Sequence, residues 1–240
     1  MRKMNKELRK QIVDILNRDK KKYRTIIELL NDNVVSECEI NGSAIILQNE
    51  DSRWLHVISE NNKDLEKLLP LIKENKLFGE TQTKLIDTLS KDKKFLWRAD
   101  CYKLVYNKRV KLESGIKERT PLRVEDAKIV NEYWPYNSDI SFKKIEKRIK
   151  IGDSVAIFKD KKPVSWVLTA SDNSMGFFHT LKEYRRNGYG EMVTKELMNI
   201  IIDNNKTPFV YIKKENEKSM PLVLKLGFDI VDEVSWFEFE

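Results

Sequence analysis

The chain has 240 residues, of which 45 are Lys or Arg against 38 Asp or Glu, a formal charge of +7, and 40% are hydrophobic. A chain of this length buries roughly 70% of the surface it exposes when unfolded, so it needs neither disulfides nor metal to hold a core. The 8 glycines and 6 prolines exclude collagen-like or Pro/Gly-rich disordered chains. No apolar run approaches the roughly 20 residues that span a bilayer, which argues against a membrane-spanning chain. The opening Met1-Arg-Lys-Met-Asn-Lys-Glu-Leu8 is basic but has no apolar stretch behind it, unlike a secretory signal.

In chain order, Leu8, Ile12, Ile15 and Leu16 recur at helical spacing, and Ile26, Ile27, Leu29 and Leu30 do so after the Lys20-Lys21-Lys22 run. Strand-like runs follow at 34–40, 44–47 and 54–58, with Asn41-Gly42 as the hairpin signal between the first two. Helices are expected at 65–72 and 84–89, and a strand at 95–106. Cys38 and Cys101 lie far apart, without Cys-x-x-Cys spacing or a neighbouring histidine. They read as buried apolar thiols in a reducing, cytoplasmic compartment, with no metal site. Lysines interleave with acids almost everywhere, which describes a solvated surface rather than a nucleic-acid stripe. The positive balance still favours anionic ligands such as phosphates.

The charged stretch 108–120 places the domain boundary between residues 119 and 120. Beyond it, helices are expected at 124–133, before Pro135, and at 142–150, before Gly152. Strands at 154–158, 164–169 and 175–180 are linked by turns short enough to force antiparallel pairing. Then come Leu181-Lys-Glu-Tyr-Arg-Arg-Asn-Gly-Tyr-Gly190 and an amphipathic helix with Tyr189, Val193, Leu197, Ile200 and Ile201 on one face. A strand at 208–212, reached by this helical crossover, is expected to run parallel to the strand at 175–180.

The strand–turn–helix at 175–201 carries a physical signal. A helix N-terminus offers unpaired main-chain N–H groups and a positive dipole end. Gly188 and Gly190 allow close main-chain approach of a bulky anion, and Arg185 and Arg186 add charge, together making a pyrophosphate cradle. A Walker loop is absent, because Gly-Lys-Ser/Thr is missing.

The order strand, Arg185-x-x-Gly188-x-Gly190, amphipathic helix, strand, then Asn216-Glu-Lys-Ser219 leading to Lys225-Leu-Gly-Phe228 resembles the GNAT superfamily of acyl-CoA-dependent N-acyltransferases. The resemblance covers about residues 120–240. Within that superfamily, Asp126-Ala-Lys-Ile-Val-Asn-Glu-Tyr-Trp134, Pro163-Val-Ser-Trp166 and Thr180-Leu-Lys-Glu-Tyr-Arg185 resemble the glycine N-acyltransferase group. The implied fold is α+β (mixed α/β): a mostly antiparallel GNAT-like sheet flanked by helices at 120–240. A smaller α+β domain at 1–119 precedes it, in the role of a degenerate copy of the same fold.

The resemblance implies transfer of an acetyl or longer acyl group from acyl-CoA, as co-substrate, to a primary amine such as glycine, a small amine or a peptide N-terminus. The protein would act as a monomer or homodimer without a membrane partner. His179, Thr180 and Leu181 would line the thioester. The amides of Arg186, Asn187, Gly188, Tyr189, Gly190 and Glu191, beside Arg185, would hold the pyrophosphate. Asn216 and Ser219 would touch the CoA arm. Leu181 N–H is the expected oxyanion donor, His179 the base, and Tyr211 or water the source of the leaving group's proton. Asp172 and Glu183 are weaker base candidates, and His56 reads as structural. The family's acid and base positions are Val223 and Ser174 here. That leaves open a second reading, a catalytically silent acyl-CoA-binding module. A nucleic-acid-associated protein is a third, supported by charge alone, and predicts steeply salt-dependent retention on DNA or heparin.

Overall fold

The computed structural model describes residues 1–33, 35–49 and 54–240, so the expected strand start at Val34 lies outside the described residues. The first half of the chain runs β1 (Arg2–Lys3), α1 (Lys6–Leu16), α2 (Lys20–Asn31), β2 (Val35–Asn41), β3 (Ala44–Asn49), β4 (Leu55–Ile58), α3 (Asn62–Glu66), β5 (Leu77–Gln82), α4 (Ile86–Leu89) and β6 (Phe95–Val105). The second runs α5 (Ala127–Glu132), α6 (Asp139–Ile151), β7 (Ser154–Lys159), β8 (Lys162–Thr169), β9 (Met175–Thr180), α7 (Tyr189–Asp203), β10 (Phe209–Lys213), α8 (Met220–Lys225) and β11 (Asp229–Phe239). Apart from β1, the two halves share one element order: two helices, three strands, helix, strand, helix, strand.

Packing divides the chain into two compact units, one of residues 1–104, 212–219 and 230–240, the other of 105–211 and 220–229. A single cut after residue 119 follows chain order, whereas these units follow contact: the charged stretch goes with the second unit and the final strand with the first.

In the first unit, Asn5 and Asp19 start α1 and α2 by accepting main-chain N–H bonds from Leu8 at 2.9 Å and Lys22 at 3.1 Å. The lysine run 20–22 is therefore the first turn of α2. Leu8, Ile12, Leu16, Ile26 and Leu30 pack with Cys38, Ile45 and Leu47 into one core. The expected helix at 65–72 is instead α3 plus a separate 3₁₀ turn at Leu69–Ile72. Pro70 there has no N–H to continue an α-helix. The sheet order is β1-β2-β3-β4-β5-β11-β6-β10. β4 and β5 are parallel, with Leu55 opposite Phe78 and His56 opposite Gly79. β11 pairs antiparallel with β5, and Phe78 stacks on Phe237 at 4.8 Å.

In the second unit, β7-β8-β9 form a separate antiparallel sheet. Its core joins Leu122, Val130, Ile145 and Ile149 to Trp166, Leu168 and Leu181. α7 buries Val193, Leu197, Met198, Ile200 and Ile201. Truncating the fully buried Leu197 to Ala should cost about 2–5 kcal/mol of stability, read as a lower urea midpoint. No helix among the described residues is long and apolar enough to cross a membrane.

Candidate functional site

The β8–β9 register fixes the site's shape. Ser165 pairs with Thr180 and Trp166 with His179, but the next pairs are Leu168 with Gly176 and Thr169 with Met175. Phe177 and Phe178 therefore share the place opposite Val167, a bulge that bends the strand. Phe177 has φ +52°, a left-handed conformation that an aromatic side chain adopts only when its surroundings impose it.

Past the bulge, Leu181 donates its N–H to Val164 O at 2.9 Å. The expected oxyanion donor is thus committed to β8, and the buried Leu181 side chain belongs to the core. Antiparallel alternation turns the N–H and C=O of its neighbour Thr180 to the opposite edge. The Thr180 carbonyl there accepts Arg185 Nε at 3.0 Å.

The chain then reaches α7 through a tight turn. Arg186 has φ +64° and Gly188, the residue capping α7, has φ +78°. A Cβ built on Gly188 meets nothing within 4 Å, so the space before this amide is open. Gly190 is small for a different reason: a Cβ there would lie 2.8 Å from the Phe178 ring. The Asn187 amide braces the turn by donating to Tyr184 O and Arg185 O at 3.2 and 3.4 Å. Among the described residues, no acceptor faces the main-chain N–H groups from Arg186 to Glu191. Glu191 sits in this first turn, where its charge would oppose an anion, but Lys195 and Lys225 hold it at 2.8 and 2.6 Å. The Lys195 hydrogen bond, followed by that of Lys225, keeps its carboxyl below the usual range. The result is a helix mouth of open space, outward amides and exposed cationic groups at Arg185 and Arg186.

α7 links β9 to β10, yet these strands occupy different sheets. β9 is an edge of the three-stranded sheet, and β10 ends the eight-stranded order beside β6. The two are not paired with each other among the described residues. The corresponding place in the first half is built in the opposite sense. β4 and β5 are paired there. The short α3 that joins them carries Asp64 in its first turn, and its carboxylate takes bonds from Ser43 N, Ser43 Oγ and Asn61 Nδ2 at 2.7 to 2.8 Å. A fixed carboxylate stands where the second half has open amides.

His179 is half-buried between two rings. Trp166, fully buried, stacks on it at 5.3 Å, and Tyr133, 39% exposed, covers it at 4.6 Å. Its Nε2 has no hydrogen-bond partner among the described residues. Burial, and then the Arg185 cation, push its pKa below the ordinary histidine value and so favour the neutral imidazole. Tyr211 lies on β10 with its ring edge against Phe209 at 5.7 Å. Asn216 and Ser219 bond to each other, Asn216 Nδ2 donating to Ser219 Oγ at 3.0 Å and Ser219 N to Asn216 Oδ1 at 3.3 Å. That is an Asx-type turn leading into α8. Ser174 is buried and bonded through N and Oγ to Asp172 Oδ1, and Val223 is buried in α8. Glu183 is exposed, and His56 lies buried in β4 against Trp236. Motif reading missed the Phe177 bulge, the Tyr133 cover and the lysine pair on Glu191. Only Lys195, four residues after Glu191, could have been found by spacing.

A bulged strand edge, unpaired among the described residues, is followed by an open helix mouth and a crossover to a separated strand, in a mixed α+β chain with a GNAT-like fold. Comparison with known proteins agrees. Residues 156–237 match the family described as FR47-like protein. A Drosophila protein of known crystal structure superposes with TM-score 0.73 at 13% identity, covering 100% of this chain and 98% of its own. An acetyltransferase from the GNAT family of Colwellia psychrerythraea gives 0.54 at 13% identity, covering 83% and 82%. A GCN5-related N-acetyltransferase from Kribbella flavida gives 0.54 at 15%, covering 90% and 94%. No curated protein matches the chain.

Proposed function

We propose that the second half of the chain is an acyl-CoA-dependent N-acyltransferase that moves an acetyl or similar acyl group to a primary amine. The observation that carries this reading is the open mouth of α7 beside the unpaired edge of β9. The amides from Arg186 to Glu191, with Arg185 and Arg186, would hold the CoA diphosphate at the helix N-terminus. Thr180, rather than Leu181, supplies the N–H turned to the edge for the thioester oxygen as charge develops on it. His179 accepts the proton of the attacking amine. The new C–N bond forms as C–S breaks, and the thiolate takes a proton from water or from Tyr211. Asn216 and Ser219 shape the turn into α8, so Asn216→Ala should cost about 1 kcal/mol of stability and leave CoA affinity unchanged. The first half is a closed copy of the same fold, supported by the shared element order, the paired β4 and β5, and the Asp64 carboxylate. The glycine N-acyltransferase subgroup rests on the motifs at 126–134, 163–166 and 180–185.

Native mass spectrometry of freshly purified protein tests the donor: a retained mass of CoA or an acyl-CoA is expected. Incubation with acetyl-CoA and an amine panel, following free thiol, tests the transfer. Ser174 and Val223, at the family's base and acid positions, favour a second reading as a silent acyl-CoA-binding module. Tight CoA binding without thiol release from any amine would select it.

A further inference from the structure

Beside His179, several aromatic side chains pack together. Trp134 packs on Phe177 at 4.6 Å and on Tyr136 at 5.6 Å, while Tyr133 lies on His179 at 4.6 Å. Tyr133 is 39% and Tyr136 54% exposed, so each residue keeps part of its surface open to solvent. Phe177 reaches this group because the bulge holds it at positive φ, against its own preference. Strain retained at such a residue marks a place the surroundings over-determine. Below this layer, the fully buried Trp166 presents Nε1, and His179 presents Nε2, without hydrogen-bond partners among the described residues. Unpartnered buried donors and acceptors are costly, a cost an incoming polar group can relieve. Arg185, bonded to the carbonyl of Thr180 next to His179, places a cation beside that ring. A polyamine or aminoglycoside needs anionic partners for its extra ammonium groups, and the charge beside His179 has the wrong sign.

We infer that Tyr133, Trp134, Tyr136 and Phe177 form the acceptor wall, and that the acceptor is an arylalkylamine rather than a polycation. The inference rests on the N-acyltransferase reading. The aromatic body of the acceptor lies along Trp134 and Tyr136, and its amine enters beside Tyr133 to reach His179. Offset stacking on these rings supplies affinity and orientation without charge.

The test uses the full chain saturated with CoA and follows tryptophan fluorescence on titration with 2-phenylethylamine, spermidine and glycine. 2-Phenylethylamine is expected to bind at least about tenfold tighter than either competitor, a difference of ~1.4 kcal/mol. Trp134→Ala should remove that advantage, and Tyr136→Ala, at an exposed position that cannot unsettle the core, should reduce it by about threefold to tenfold. Both variants should keep the parent's CoA affinity. Equal binding of spermidine, or a Tyr136→Ala variant indistinguishable from the parent, would overturn the wall. Thiol release is measured in parallel: tight 2-phenylethylamine binding with no release upholds the wall and counts against transfer.

Discussion

Gly188→Glu should lower CoA affinity roughly a hundredfold by isothermal titration, about the loss of one or two hydrogen bonds to a charged group. Two effects act together. Gly188 has φ +78°, which only glycine adopts freely, so any side chain strains the cap of α7 by about 1–2 kcal/mol. The new carboxylate would also project into space that holds no protein atom within 4 Å of a Cβ, before the amides assigned to the diphosphate. Gly188→Asn separates the two, because Asn tolerates the left-handed region and carries no charge. It should fold like the parent and lose roughly tenfold or less in affinity. If both variants bind CoA as the parent does, the helix mouth is not the diphosphate site. Arg186→Ala, which leaves the main chain in place, should weaken binding by a smaller, salt-dependent factor.

His179→Ala should reduce turnover by about 10²–10⁴-fold while CoA affinity stays within a factor of about two, the pattern of a lost proton acceptor rather than a lost binding contact. Burial and the Arg185 cation both disfavour the protonated ring, so its pKa lies below 6.5. The base form persists to lower pH than in an ordinary histidine, so the acidic limb of kcat/KM should have its midpoint on the acid side of the usual histidine range. Arg185→Ala removes the repelling cation and should move that midpoint upward. The same depression links to folding: protonation favours the unfolded chain, so this group's stabilising share is present above pH 6.5 and is lost as pH falls through the folded pKa. A turnover profile in His179→Ala superimposable on the parent's would remove His179 from the mechanism.

The sequence displayed the second half of the fold more clearly than the first. From 154 to 180 the strands alternate around short turns, and at 189–201 the apolar face repeats at helical spacing, so period and punctuation agree. β5 was missed because Leu77–Gln82 contains Gly79 and Glu80, residues that strands disfavour. Its membership of the sheet comes from pairing with β4 and β11, which no local pattern reports. The helix mouth was visible, since glycines and arginines at fixed spacing encode main-chain geometry directly. The identity of the outward donor was not. Whether Thr180 or Leu181 faces the edge depends on a one-residue bulge, and a shift of one residue reverses every main-chain direction along the strand. Nor could spacing place Lys225 on Glu191, 34 residues apart in the chain, or set Tyr133 on His179.

β11 lies between β5 and β6 in the eight-stranded sheet, and Ser235 Oγ donates to Asp100 Oδ1 at 2.6 Å. The sheet built by the first hundred residues therefore has a vacancy in its middle until β11, more than a hundred residues further along the chain, fills it. Cutting the gene between its halves would not yield two stable proteins, and refolding from denaturant should be slow, because the closing contacts span well over a hundred residues of sequence.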